Sequence, residues 1–266
     1  MRYRYSGCPV RPDCLRKHLP DKYCYTHSAH FVRPSPLQPA YSYGPDSASA
    51  VPANAPRLVL ATHNQGKLKE LRELLRGQVS GLDVDTQVVD AAAVGAPDVA
   101  ETGVTFAENS LLKARAVAEA TGLVAIADDS GLAVDVLGGA PGIFSARWSG
   151  KHGDDDANLR LLLAQLSDVP DAFRGAAFVC AAALAVPGAD GIMHETVEYG
   201  QLEGTLLREP RGEGGFGYDP VLQPVGMERS CAELTSEEKN AISHRGQAFR
   251  ALLPAIVAAL SGVHSR

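Results

Sequence analysis

The run from Leu123 to Ala127, followed at once by Asp128, Asp129, Ser130 and Gly131, constrains the fold of this chain more than any other segment. Five apolar residues between Gly122 and the polar group have the length and composition of a buried strand. Two carboxylates at the end of such a strand are costly to bury unless the fold brings partners to them. Strand alternation sends them to opposite faces, so one is free to meet a metal ion or water while the other is held by backbone or neighbouring donors. The end of a buried strand is also where open α/β sheets take ligands. The plainer reading is a pair of turn aspartates capping the strand.

Helical and strand patterns surround that segment. RLVLAT, from Arg57, reads as a strand, and Asn64 to Arg76 places Leu68, Leu71, Leu74 and Leu75 at helical spacing. Thr105 and Glu108 form a capping box for a helix that Gly122 stops. A turn-rich passage, Gly131 to Gly150, precedes a helix from about Asp154 to Leu166. FRGAAFVCAAALAV and MHETVEYGQLEGTL read as a hairpin, VLQPV as a short strand, and Thr235 with Glu238 as a second capping box before a final helix from His244 to Leu260. Interleaved strands and helices without a strict repeat predict an α/β fold with a mixed sheet.

Residues 1–56 differ from the rest: nine of the chain's 17 prolines and six of its eight tyrosines lie there, with no apolar periodicity. They read as a disordered or loosely attached extension, leaving 57–266 as the folded domain. Cys8, Cys14, Cys24, His18, His27 and His30 lack the paired spacing of common zinc sites. The remaining cysteines, Cys180 and Cys231, read as reduced, buried thiols. A formal net charge of -6 argues against nonspecific binding to nucleic acid. No apolar run is long enough to cross a bilayer and no signal-peptide core follows the N-terminal arginines, so the expected compartment is the cytoplasm, with no membrane partner.

Two polar constellations carry the remaining chemistry. Thr62, His63, Asn64, Gln65, Gly66 and Lys67 fill the turn into the first helix, where unpaired N–H groups favour an anion; a plain N-cap beside a solvated lysine is the simpler reading. In GEGGFGYDP the glycines free N–H groups for a phosphate, while Phe216 and Tyr218 offer flat faces. Lys239, His244 and Arg245 follow as donors and cations, a set suited to an anionic planar ligand such as a nucleotide. The formal GxGxxG at Gly212, Gly214 and Gly217 lies in the wrong context for a dinucleotide fold, since it precedes a strand rather than a helix. Glu101, in the loop before the second helix, is a further acid that could share a magnesium ion with Asp129, since hard divalent cations take carboxylate oxygens together with phosphate and water, and Glu108 reads as a cap. Ser110 and Lys113 lack the partner motifs of a serine–lysine enzyme.

Together, LATHNQGKLKEL, ETGVTFAENSLLKA, IADDSGLAVDVLGGAPGIFSARWSG, GEGGFGYDP and AELTSEEKNAISHRG resemble the inosine triphosphate pyrophosphatase (Ham1) family, over about residues 57–260. The resemblance implies a magnesium-dependent hydrolase that converts ITP, dITP and XTP to monophosphate and pyrophosphate. It also implies two lobes around a central nucleotide-binding cleft, in a homodimer. Carried onto this sequence, Thr62, His63, Asn64, Gln65, Gly66 and Lys67 bind phosphates and Lys113 neutralises them. Asp129 is metal ligand and proton acceptor with Ser130 beside it, and Glu101 is a second metal ligand. Phe216, Gly217, Tyr218, Asp219, Lys239, His244 and Arg245 form the nucleoside and base pocket. His63 stands where a smaller or different residue is common. The alternatives are a related pyrophosphatase for other modified or canonical nucleotides, or a nucleotide-binding regulator without turnover.

Deleting residues 1–56 is expected to leave turnover and the thermal midpoint almost unchanged. Calorimetric melting of the shortened protein checks this: a large drop in the midpoint, or stoichiometric zinc lost with the segment, would overturn the reading.

Overall fold

A computed structural model describes residues 54–262. The segment read as an extension, with its cysteines and histidines, lies outside the described residues up to position 53. In chain order the elements are β1 (Leu58–Leu60), α1 (Gln65–Leu75), α2 (Val84–Gln87), β2 (Val88–Asp90), α3 (Phe106–Thr121), β3 (Val124–Val134), α4 (Asp155–Gln165), β4 (Gly175–Pro187), β5 (Met193–Leu206), β6 (Leu222–Pro224), α5 (Ser236–Ile242) and α6 (His244–Leu260), with short 3-10 turns between. The fold is α/β, with one six-stranded mixed sheet in the order β2-β1-β3-β4-β5-β6. The β1 strand pairs in parallel with β2 and β3, and the remaining neighbours are antiparallel. Among the described residues no helix is long and apolar enough to cross a membrane, and Cys180 and Cys231 are buried free thiols.

Three hydrophobic clusters flank β3, two near its start and one near its end, marking two lobes. Near its start, Ile126 packs with Leu58, Leu60, Leu71, Phe249 and Leu252 on one face, and Ala125 and Ala127 pack with Ala114 and Val117 of α3 on the other. Near its end, Leu132 and Val134 join Leu162, Phe178, Leu206 and Tyr218. The polar stretch Asp128–Gly131 lies between these two lobes.

The expectation that the strand stops at the two aspartates is corrected: β3 continues to Val134 because β4 pairs with it from Ala125 through Val134. What ends there is its other neighbour, since β1 stops at Leu60, opposite Ile126. The carboxylates therefore occupy mid-strand positions beside the first open edge, and the first part of the predicted turn region is strand. Gly131 lets the following loop approach, because a Cβ there would meet Gly142 O and Ser145 Oγ at 2.5 Å. The hairpin, the helices from Asn64, near Asp154 and from His244, and the capping box of Thr235 with Glu238 form as the sequence predicts. The first box forms by half: Thr105 Oγ1 accepts from Glu108 N, but Glu108 reaches past the cap to accept from Val104 N at 2.6 Å.

Candidate active site

At the centre of the site is Asp128, whose side chain is 2% exposed. Lys67 Nζ donates to both its oxygens at 2.9 Å. Arg245 Nε donates to Oδ2 at 3.0 Å, and Arg245 Nη2 reaches Ser130 Oγ at 3.2 Å. Burial alone would raise the carboxyl's pKa, but the charges and hydrogen bonds of Lys67 and Arg245 hold it well below the usual range. Local sequence explains how the cations arrive. Asn64 caps α1 by accepting from Gly66 N and Lys67 N, which places Lys67 on the first turn. The Cβ-free Gly200 of β5 lets the start of α6 lie against it, since any Cβ would collide with His244 O and Ala248 N.

Asp129 points the other way. Its Oδ2 accepts from Asn109 Nδ2 and its Oδ1 from Ser130 N, each at 3.0 Å. Lys113 Nζ lies 4.0 Å from Asp129 Oδ1, and donates to Glu101 Oε1 at 2.7 Å and to Asp128 O at 2.8 Å. Burial raises the Asp129 pKa above its ordinary value, opposed by Lys113 and reinforced by Glu101. Adjacent aspartates are thus driven in opposite directions, one locked as an anion and the other made a better proton acceptor. Asn109 escaped the sequence reading, although it lies four residues before Lys113 and hence on the same helical face.

A recess of about 160 Å³ adjoins these groups, lined among others by Thr62, His63, Asp98 and Lys113. A larger one, about 430 Å³, lies against Gln201, Glu203, Val225 and Gln247. Charge favours the smaller as the site of chemistry, because the larger has no cation in its lining. Some expected donors are already used: the Gly66 and Lys67 amides serve Asn64, Gln65 Nε2 donates to Asp90 at 2.5 Å, and His63 pairs with Asp98 at 2.9 Å. Lys67 is accordingly not a solvated lysine.

In the glycine turn, three of the amides are already engaged within the protein. Gly214 N donates to Ala232 O at 3.1 Å, Phe216 N to Asp219 Oδ2 at 2.8 Å, and Gly217 N to Asp155 Oδ2 at 2.9 Å. Asp219, itself buried, also accepts from Lys239 Nζ at 2.5 Å. That ammonium sits 5.0 Å from the centre of the Phe216 ring, and Phe216 is 66% exposed. Tyr218 is instead a core residue whose hydroxyl donates to Ser145 O at 3.0 Å, so only one of the two rings is open to a ligand. His244 stacks on Phe178 with centroids 5.2 Å apart, and its buried Nδ1 has no hydrogen-bond partner among the described residues. Burial, then the neighbouring charge of Arg245, lowers its pKa to about 3. It is therefore neutral, and the cations at this end are Lys239 and Arg245.

Comparison with known proteins gives a consistent answer. The sequence model of the Ham1 family matches residues 58–255. A dITP/XTP pyrophosphatase from Streptomyces coelicolor is 66% identical over 200 residues, covering 75% of this chain and 96% of that protein. The solved structure of a HAM1 protein from Coxiella burnetii has a TM-score of 0.68 at 42% identity, covering 77% of this chain and 100% of that one. A nucleoside-triphosphatase / dITP/XTP pyrophosphatase structure from Mycobacterium abscessus has a TM-score of 0.62 at 51% identity, covering 74% of this chain and 99% of that one.

The buried neutral histidine has a measurable consequence. Its folded pKa of about 3 lies below the ordinary value, so between the two the unfolded chain binds the extra proton and folding stability rises with pH. Acidification from pH 6.5 is expected to weaken folding by roughly 1 kcal/mol per pH unit through this group, tapering towards its folded pKa. Denaturant titrations of the wild type and His244→Gln from pH 7 to 5 test it: the difference in unfolding free energy should narrow, and a constant difference would contradict the assignment.

Proposed function

The chain belongs to the Ham1 family, and from that premise we propose that it hydrolyses noncanonical purine nucleoside triphosphates, among them dITP, ITP and XTP, to the monophosphate and pyrophosphate, removing them from the nucleotide pool. The observation that carries the reading is the pairing of Asp129, whose burial raises its pKa, with Lys113 and Glu101 beside a recess bordered by Thr62 and His63. This end suits a polyphosphate: Lys67 and Lys113 supply positive charge, and Thr62, His63, Asn64, Gln65 and Gly66 bound its approach. Asp129 takes the proton of a water molecule as its oxygen attacks phosphorus. The α–β anhydride bond breaks, and pyrophosphate leaves with the bond's electron pair.

Glu101 and Asp129 fit a divalent cation, since they already share the ammonium of Lys113. Among the described residues no group of three or more His, Cys, Asp or Glu side chains could hold a metal. An ion held by two carboxylates therefore takes its other ligands from phosphate and water, the habit of magnesium. Bound there, it would neutralise phosphate charge and lower the pKa of the attacking water.

The opposite end is the base site. The open Phe216 ring offers a stacking face, and Lys239, Arg245 and neutral His244 face the purine edge, with Ser130 steadying Arg245. Asp219, Gly217 and Tyr218 support the loop. Ammonium and guanidinium groups only donate, so they complement an oxygen at position 6 and mismatch the amino group of adenine. Residues 57–266 form the catalytic domain, acting as a homodimer in the cytoplasm with no nucleic-acid or membrane partner. The nucleotide-pool role and the net charge of -6 support that last assignment.

Asp129→Asn is expected to lower turnover of XTP by at least about 100-fold while leaving the circular-dichroism spectrum intact. Omitting magnesium should abolish pyrophosphate release by the wild type. Near-normal turnover by the folded variant would remove Asp129 from the chemistry, and metal-independent turnover would remove the ion.

A further inference from the structure

Lys67 and Arg245 come from the first turns of α1 and α6, far apart in sequence, yet both end on the same carboxylate. The Asp128 side chain is 2% exposed, against 21% for Lys67 and 14% for Arg245. Asp128 is therefore closed to a ligand, while the two cations it holds are not. Its Oδ2 accepts from both Lys67 Nζ and Arg245 Nε, and its Oδ1 from Lys67 alone. One negative charge is thus divided between Lys67, assigned above to the phosphate end, and Arg245, assigned to the base end.

We propose that Asp128 is a positioning residue that couples the phosphate end of the site to the base end, so that an anion engaging Lys67 strengthens the hold of Asp128 on Arg245 and raises affinity for the purine. The inference rests on the assignment of the two ends given above. Charge-assisted hydrogen bonds that share an acceptor compete for it. When phosphate oxygens take part of the ammonium's hydrogen bonding, the carboxylate turns more fully to the guanidinium. Arg245, already tied to Ser130 Oγ, is then ordered before the base arrives, and the base meets a smaller entropic cost. Linkage makes the effect reciprocal. A buried ion pair that merely stabilised the fold would leave the two ends independent.

Calorimetric titration of the full chain with inosine, alone and with saturating inorganic pyrophosphate, measures the coupling. Inosine is expected to bind about fivefold tighter when pyrophosphate is present, with the same factor in the reverse order. In Asp128→Asn the factor should fall to one even though both ligands still bind. Should that variant not fold, Arg245→Lys, which keeps the charge but cannot span Asp128 and Ser130, is expected to lose the gain as well. Equal inosine affinity with and without pyrophosphate in the wild type, or an undiminished gain in either folded variant, overturns the coupling and leaves the proposed activity standing. Failure of the wild type to bind either ligand overturns the assignment of the ends together with the coupling.

Discussion

The ion cluster of Asp128, Lys67 and Arg245 is the interaction on which the site depends. A carboxylate buried in mid-strand is tolerable only with its charge matched and its oxygens hydrogen-bonded. Lys67 and Arg245 meet both requirements at 2.9–3.0 Å. Because one cation stands on α1 and the other on α6, satisfying Asp128 fixes two helices against the central strand. Removing one partner would leave a buried charge uncompensated, which costs far more than the pair contributes to stability.

Alternation along β3 then separates the two acids by environment. Asp128 faces two cations in direct contact, and its carboxyl is held well below the usual range. Asp129 has one cation, Lys113, at 4.0 Å, the nearby carboxylate of Glu101, and hydrogen bonds from Asn109 and Ser130 that do not offset its burial, so its pKa rises. Neighbouring residues of one type thereby titrate in opposite directions, as the proposed roles of anchor and proton acceptor require. The loop at Phe216 repeats the device: buried Asp219 holds Lys239 beneath an exposed ring. In both places a buried carboxylate, Asp128 or Asp219, sets the position of a more exposed cation.

Local rules made much of this legible in the sequence. Caps at Asn64 and Thr235, the stop at Gly122 and the long hairpin follow from short-range chemistry and appear where that chemistry places them. The opposed directions of Asp128 and Asp129 follow from strand periodicity. What the sequence hid depends on tertiary partners. The length of β3 is decided by β4, 50 residues away in register at Ser130 and Cys180. The β2 strand has only three residues, too few for a visible alternation. Nothing local reveals that Asp155 holds the Gly217 amide, that Tyr218 turns inward, or that burial keeps His244 neutral.

The central claim is that this cleft recognises a 6-oxo purine through fixed donors and hydrolyses the polyphosphate attached to it. Steady-state kcat/KM for XTP, ITP, GTP and ATP at saturating magnesium tests it most directly. Donors left unpaired against the adenine amino group should favour XTP and ITP over ATP by at least about 100-fold, below the limit that hydrogen-bonded recognition reaches. GTP shares the 6-oxo group and differs from ITP by its 2-amino group, so the ATP comparison is the decisive one. Equal kcat/KM for ATP and XTP would contradict the account.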